Sequence, residues 1–169
     1  MTTAVGLLRQ AQAEGETAAW IQPAFGPLFP PDLEQSGIDV EALVVIQVPR
    51  ESSGAALPHR LCKAAEILLR SGAFGLVVLD LTEGVPAGSD AWQGRLLGLG
   101  RQHHSRLVML TEKTTAADSL GPLVGLRIEP RRTRVEPGRF VVEHHVLKNK
   151  SGAPLRVVAE HFRGPWGLA

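Results

Sequence analysis

A chain of 169 residues with 44% hydrophobic and 21% charged side chains can bury one core of ordinary domain size, and the expectation is a single domain over residues 1–169. The longest apolar stretch, Gly72 to Leu81, falls well short of the roughly 20 residues a membrane helix needs, and a lone Cys62 excludes an internal disulfide framework and a cysteine-based zinc site. The net charge of +1 argues against a strongly cationic nucleic-acid binder, yet residues 1–100 carry 6 Lys+Arg against 11 Asp+Glu while residues 101–169 carry 12 against 6.

Met1 to Gly15 has no basic start followed by a continuous apolar run, so no signal peptide is read and a cytoplasmic protein is expected. The first element is a helix, Thr3 to Glu14. It is of a kind that normally follows a strand, which leads to the expectation that an N-terminal strand has been lost or truncated. Four β-rich runs come next, Thr17 to Ile21, Leu43 to Val48, Phe74 to Leu81 and Arg106 to Thr111; the last three are almost wholly apolar, as strands buried on both faces are. Pro23 to Pro31 reads as a loop inside the domain. Pro58 to Arg70 places Leu61, Ala64, Ala65, Leu68 and Leu69 at helical spacing and stops at Gly72; Trp92 to Gln102 is a weaker, glycine-interrupted helix. After Leu120 the period falls to two. Leu123 to Glu129, Arg139 to Leu147 and Leu155 to Phe162 alternate and are joined by Glu136-Pro137-Gly138 and Lys150-Ser151-Gly152, so an antiparallel extension of the sheet is expected. The fold class is α/β, a mixed sheet with central parallel strands, antiparallel C-terminal strands and helices on both faces.

Asp80 ends an apolar strand, the position that holds magnesium in nucleotide-binding α/β proteins but is more often a turn residue. The chain contains no Gly-rich phosphate loop with its Lys and Ser/Thr; Thr2 and Thr3 stand where such a loop would enter the first helix. His144 and His145 alternate along a strand and so face opposite ways, and His103-His104 ends a helix where a cation complements the dipole. Ser52-Ser53-Gly54 lacks the setting of a nucleophile elbow, and Cys62 reads as a small core residue. Arg131, Arg132 and Arg134, with Lys148 and Lys150 on the adjoining strand, form a basic hairpin that suits either a charged, solvated edge or a surface facing phosphates or acidic protein.

In order along the chain, several blocks resemble the RecA recombinase family. Ala13 to Ile21 resembles its first helix end and second strand, and Ser36 to Leu43 its turn into the next strand. Leu69 to Ala73 followed by Leu76 to Asp80 resembles its "RSGAVDVIVVD" stretch. Leu126 to Arg132 and Val146 to Pro154 resemble its paired strands bearing "RLDIRR" and "KNKxxxP". The resemblance implies a RecA-like core in which Thr2, Thr3 and Asp80 are the remnant of a nucleotide site. Gln22-Pro23-Ala24-Phe25 stands where that family has its catalytic glutamate, Thr111-Glu112-Lys113 replaces its coupling glutamine, and both DNA-holding loops are short here, so ATP-driven strand exchange is not expected.

Among relatives of RecA, a diverged and catalytically silent chain of this size resembles the ImuA family of SOS mutasome accessory proteins. That resemblance implies a non-catalytic adaptor that binds RecA, modulates its filament and couples it to ImuB and an error-prone DNA polymerase. It implies weak or no direct DNA binding, no cofactor and a nucleoid association through partners, and it leaves self-association open. Lys148, Lys150, Arg131 and Arg132 are the expected partner contacts, by analogy with the basic stretch that reaches a neighbouring subunit's nucleotide in RecA filaments. The C-terminal Trp166 is an aromatic that either packs or anchors ImuB. Two alternatives stand beside this: a RecA-type ATPase whose phosphate loop lies upstream, and a single-stranded DNA-binding module using the basic strands.

Overall fold

The computed structural model describes residues 1–50, 56–87 and 90–163, and these fall into two compact units, Met1–Glu112 and Lys113–Ala169. In the first unit helices and strands alternate: α1 (Thr2–Ala13), β1 (Ala18–Pro23), α2 (Pro30–Gln35), β2 (Leu43–Val48), α3 (Leu57–Ser71), β3 (Leu76–Asp80), α4 (Ala91–Gln102) and β4 (Arg106–Leu110). The four strands form one parallel sheet in the order β2-β1-β3-β4.

A parallel sheet has two faces to cover, and the side-chain alternation of β1 and β3 assigns them. Ala18 and Trp20 with Leu76 and Val78 pack against Ala4, Leu8 and Ala11 of α1 and against Leu33 and Ile38 in and after α2. Ala19, Ile21, Val77 and Leu79 point the other way and are equally buried; α3 lies against β1, β2 and β3 and buries Leu61, Cys62, Ala65 and Leu69. α4 packs on α3 and β4 with Trp92 and Leu96 inward. Helices therefore cover both faces. α3 opens with proline in its first turn and ends at Gly72, whose φ of +69° supplies the left-handed cap.

Two expectations fail in this unit. Val44 and Val45 of β2 are exposed, because an apolar run places a strand in a sheet without saying that its neighbour is solvent, and β2 is an edge strand. The proline-rich stretch read as a loop runs into a helix, α2, since Pro30 and Pro31 fall in its first turn, where a missing N–H costs nothing.

The second unit is a three-stranded antiparallel sheet, β5 (Leu126–Glu136), β6 (Arg139–Asn149) and β7 (Val157–Arg163), in that order. The α/β class holds, but the seven strands make two sheets instead of one mixed sheet. Alternation and hairpin turns specify that these strands pair with one another, and they carry no information about joining a parallel edge. Gly138, at φ +69°, closes the β5–β6 turn.

Two glycines predict stability changes of opposite sign. At Gly72 a Cβ would sit 2.7 Å from His103 Nδ1 on a left-handed backbone, whereas Gly98 lies inside α4 with open space around it. Gly72→Ala is expected to lower the stability of the protein by about 1–2 kcal/mol, and Gly98→Ala to raise it by about 0.5–1 kcal/mol. Thermal unfolding of the two variants checks both signs.

Candidate functional site

The chain leaves β1 toward β2 on one side, and from β3 it continues to β4 on the other, so the switch point of the parallel sheet lies between the carboxyl ends of β1 and β3. Gln22 and Asp80 sit there, 2% and 1% exposed. Asp80 Oδ1 accepts the Thr82 backbone N–H at 3.0 Å and the Thr82 hydroxyl at 2.6 Å, a compact turn in which one carboxylate oxygen is already engaged. Gln22 Oε1 has no hydrogen-bond partner, nor has Trp20 Nε1 two residues earlier on the same face. Gly26 closes over the Gln22 amide so tightly that a Cβ there would lie 2.6 Å from Gln22 Cδ. Thr2 and Thr3 form the first turn of α1, which returns directly into β1 and so has its N-terminus at this same end of the sheet.

The loop leaving β1 is fixed from three directions. Ala24 N–H donates to Val48 O at 2.8 Å, Gly26 N–H to Pro23 O at 3.0 Å, and the Arg50 guanidinium donates to Ala24 O while forming a two-pronged pair with Glu83. Arg50 thus ties together the segments that follow β1, β2 and β3. The hydrogen bond from Arg50 holds the Glu83 carboxyl below its ordinary value. On this loop Phe25 adopts φ +58° and is 94% exposed.

In the second unit the basic residues of the β5–β6 hairpin lie at two levels along it. The antiparallel register sets Lys148 opposite Arg127, whereas Arg131 and Arg132 lie opposite Glu143 and Val142, roughly 15 Å further along the hairpin. Lys148 Nζ donates to Ser119 Oγ at 2.9 Å and Gly121 O at 3.1 Å, and Lys150 Nζ donates to Pro122 O. Arg127 donates to Thr114 O at 2.9 Å and to Ala117 O. Three cations therefore pin residues 114–122 to the sheet. Arg131 is paired with Glu129 at 2.9 Å; hydrogen bonds to Glu129 from Thr115 first and Arg131 second lower its acid range. The Arg132 guanidinium lies 4.8 Å from the centre of the Phe140 ring.

The histidines fall as their alternation requires: His144 is buried opposite Pro130, and His145 meets Glu143 at 3.2 Å on the other face. His103 caps the C-terminus of α4. Among the described residues, no three His, Cys, Asp or Glu side chains gather as a metal-holding group. Cys62 is buried on α3, and that burial pushes its thiol up to about 12. Ser52-Ser53-Gly54 and Trp166 lie outside the described residues. Among those residues no helix is long and apolar enough to cross a membrane.

No model of a known protein family matches the chain, and no curated protein matches it. Among solved structures it is similar to SulA from Pseudomonas aeruginosa, with 20% sequence identity and a TM-score of 0.46 over 66% of this chain and 86% of that one.

The sequence reading missed Phe25 and Arg50. A proline- and glycine-rich stretch containing two phenylalanines and no charge was the available signal; the strained backbone and the clamp exist only in three dimensions.

Two tests follow from this geometry. Lys148→Ala frees the loop it holds, so amide exchange in residues 117–122 should accelerate about tenfold, with little change in β6 itself. Because Glu83 titrates lower in the folded chain than in the unfolded one, its pairing adds stability above about pH 4.5 and loses it as pH falls through the folded value. The melting-temperature gap between wild type and Glu83→Gln should accordingly be present at pH 7 and close as the pH falls through the folded value.

Proposed function

We propose that this chain is a non-catalytic, RecA-like adaptor of the SOS response. It binds RecA, modulates the RecA filament and couples it to ImuB and an error-prone polymerase in translesion synthesis. The observation that carries this reading is where the RecA-resembling blocks fall. Ala13 to Ile21 spans the end of α1 and β1, Ser36 to Leu43 the turn into β2, Leu69 to Asp80 the end of α3 and β3; Leu126 to Arg132 and Val146 to Pro154 begin on β5 and β6, which pair. Blocks that resemble one family thus fall in the same order on successive parts of the fold, with α4 and β4 lying between the third and fourth, and the last two sit on adjacent strands.

The non-catalytic half of the reading is supported at the switch point. The residues there do not fit a magnesium nucleotide: Asp80 spends an oxygen on Thr82, and the end of β1 offers a buried amide, Gln22, which cannot act as a base toward water. The partner-binding half is supported by charge: residues 1–100 are acidic overall and residues 101–169 basic, the polarity of a molecule suited to a head-to-tail contact with a RecA-like subunit. On the hairpin, Arg131 and Arg132 are exposed and stand as the partner-facing cations; Lys148 and Lys150 contribute through the loop they hold.

The test is a titration of the chain against RecA, with and without ATP and single-stranded DNA, beside a nucleotide-binding titration. The reading predicts a Kd below about 1 μM for RecA and no nucleotide uptake. Nucleotide binding without RecA binding contradicts it and favours the ATPase. Steeply salt-dependent binding of single-stranded DNA alone favours the DNA-binding module.

A further inference from the structure

Phe25 combines two unfavourable features. A non-glycine residue at φ +58° is strained, and a phenylalanine that is 94% exposed leaves its ring in water. Glycine there would remove both, yet the surrounding hydrogen bonds hold the backbone in this conformation. Ala24 N–H to Val48 O, Gly26 N–H to Pro23 O and the Arg50–Glu83 clamp fix the loop from the segments following all three neighbouring strands. The ring is thus carried on a preorganised support, and Phe29, 58% exposed, follows four residues later at the start of α2.

Charge decides what such a support can hold. Pro23 to Pro31 contains no charged side chain, and the two charges of the clamp, Arg50 and Glu83, neutralise each other. Nucleic acid or a phosphate would find no free cation on this loop, whereas an exposed aromatic inside a self-neutralised polar rim matches the anatomy of a protein hot spot.

We propose that Phe25 is the anchor by which this chain docks into an uncharged apolar socket on its protein partner. The inference rests on the reading above, in which that partner is RecA, and places an anchoring contact on the first unit in addition to the basic hairpin. The strained loop is retained because the partner recognises the side chain it presents.

The experiment measures RecA affinity and thermal unfolding for the full chain, Phe25→Ala, Phe25→Gly and Arg132→Glu. Phe25→Ala and Phe25→Gly are each expected to weaken RecA binding at least tenfold, while Phe25→Gly melts at a higher temperature than wild type because glycine adopts φ +58° without strain. Loss of affinity with a gain in stability separates recognition from folding. Wild-type affinity in Phe25→Gly overturns the anchor, and if Arg132→Glu alone loses binding, the contact belongs to the hairpin. A lower melting temperature for Phe25→Gly overturns the claim that Phe25 is held against its preference. Wild type that fails to bind RecA overturns the adaptor reading and the socket together, and a dimer broken by Phe25→Gly would then reassign the ring to self-association.

Discussion

Every residue of β1, from Ala18 to Pro23, is buried, and the first unit is built around satisfying that one strand. A central parallel strand needs hydrogen-bonded neighbours on both edges, supplied by β2 and β3, and helices on both faces, supplied by α1 on one and α3 on the other. Burial of Trp20, Ile21 and their opposite numbers on β3 is worth about 1.5–3 kcal/mol per large side chain, which is what the surrounding helices gain by packing there. The same burial has a cost at the strand's end. Gln22 Oε1 and Trp20 Nε1 are enclosed without partners, and each such group costs on the order of 1–3 kcal/mol.

Unpartnered Gln22, the close approach of Gly26 and the left-handed Phe25 occur within five residues of one another. Proteins obey local rules almost everywhere, and departures concentrate where something other than stability is being maintained. The switch point between β1 and β3 is also where α/β sheets ordinarily place ligands. In this chain, that end carries a turn-forming aspartate and an outward-facing phenylalanine ring.

Much of the architecture was legible in the sequence because its signals are local. β-rich runs, the last three of them almost wholly apolar, located β1 to β4, helical spacing ended by Gly72 located α3, and period-two segments joined at Gly138 located β5 and β6. What escaped depends on relations between distant residues. The apolar run of β2 does not reveal an edge position, two prolines do not announce the first turn of α2, and alternation on β5 to β7 does not say that these strands form a sheet of their own. The candidate site was less legible for the same reason. Arg131, Arg132, Lys148 and Lys150 are near in sequence pattern but divided by register, and Arg50 meets Ala24 and Glu83 across 26 and 33 residues.

The central claim, that this scaffold works by protein contact, is tested most directly by hydrogen exchange of the whole chain in the presence and absence of the RecA filament. The account predicts slowed exchange on filament binding in two places, residues 24–29 beyond β1 and residues 131–140 at the tip of the hairpin, with α3 and β3 unchanged. An exchange profile that RecA leaves unaltered at both places, under conditions where RecA is assembled on DNA, would contradict it.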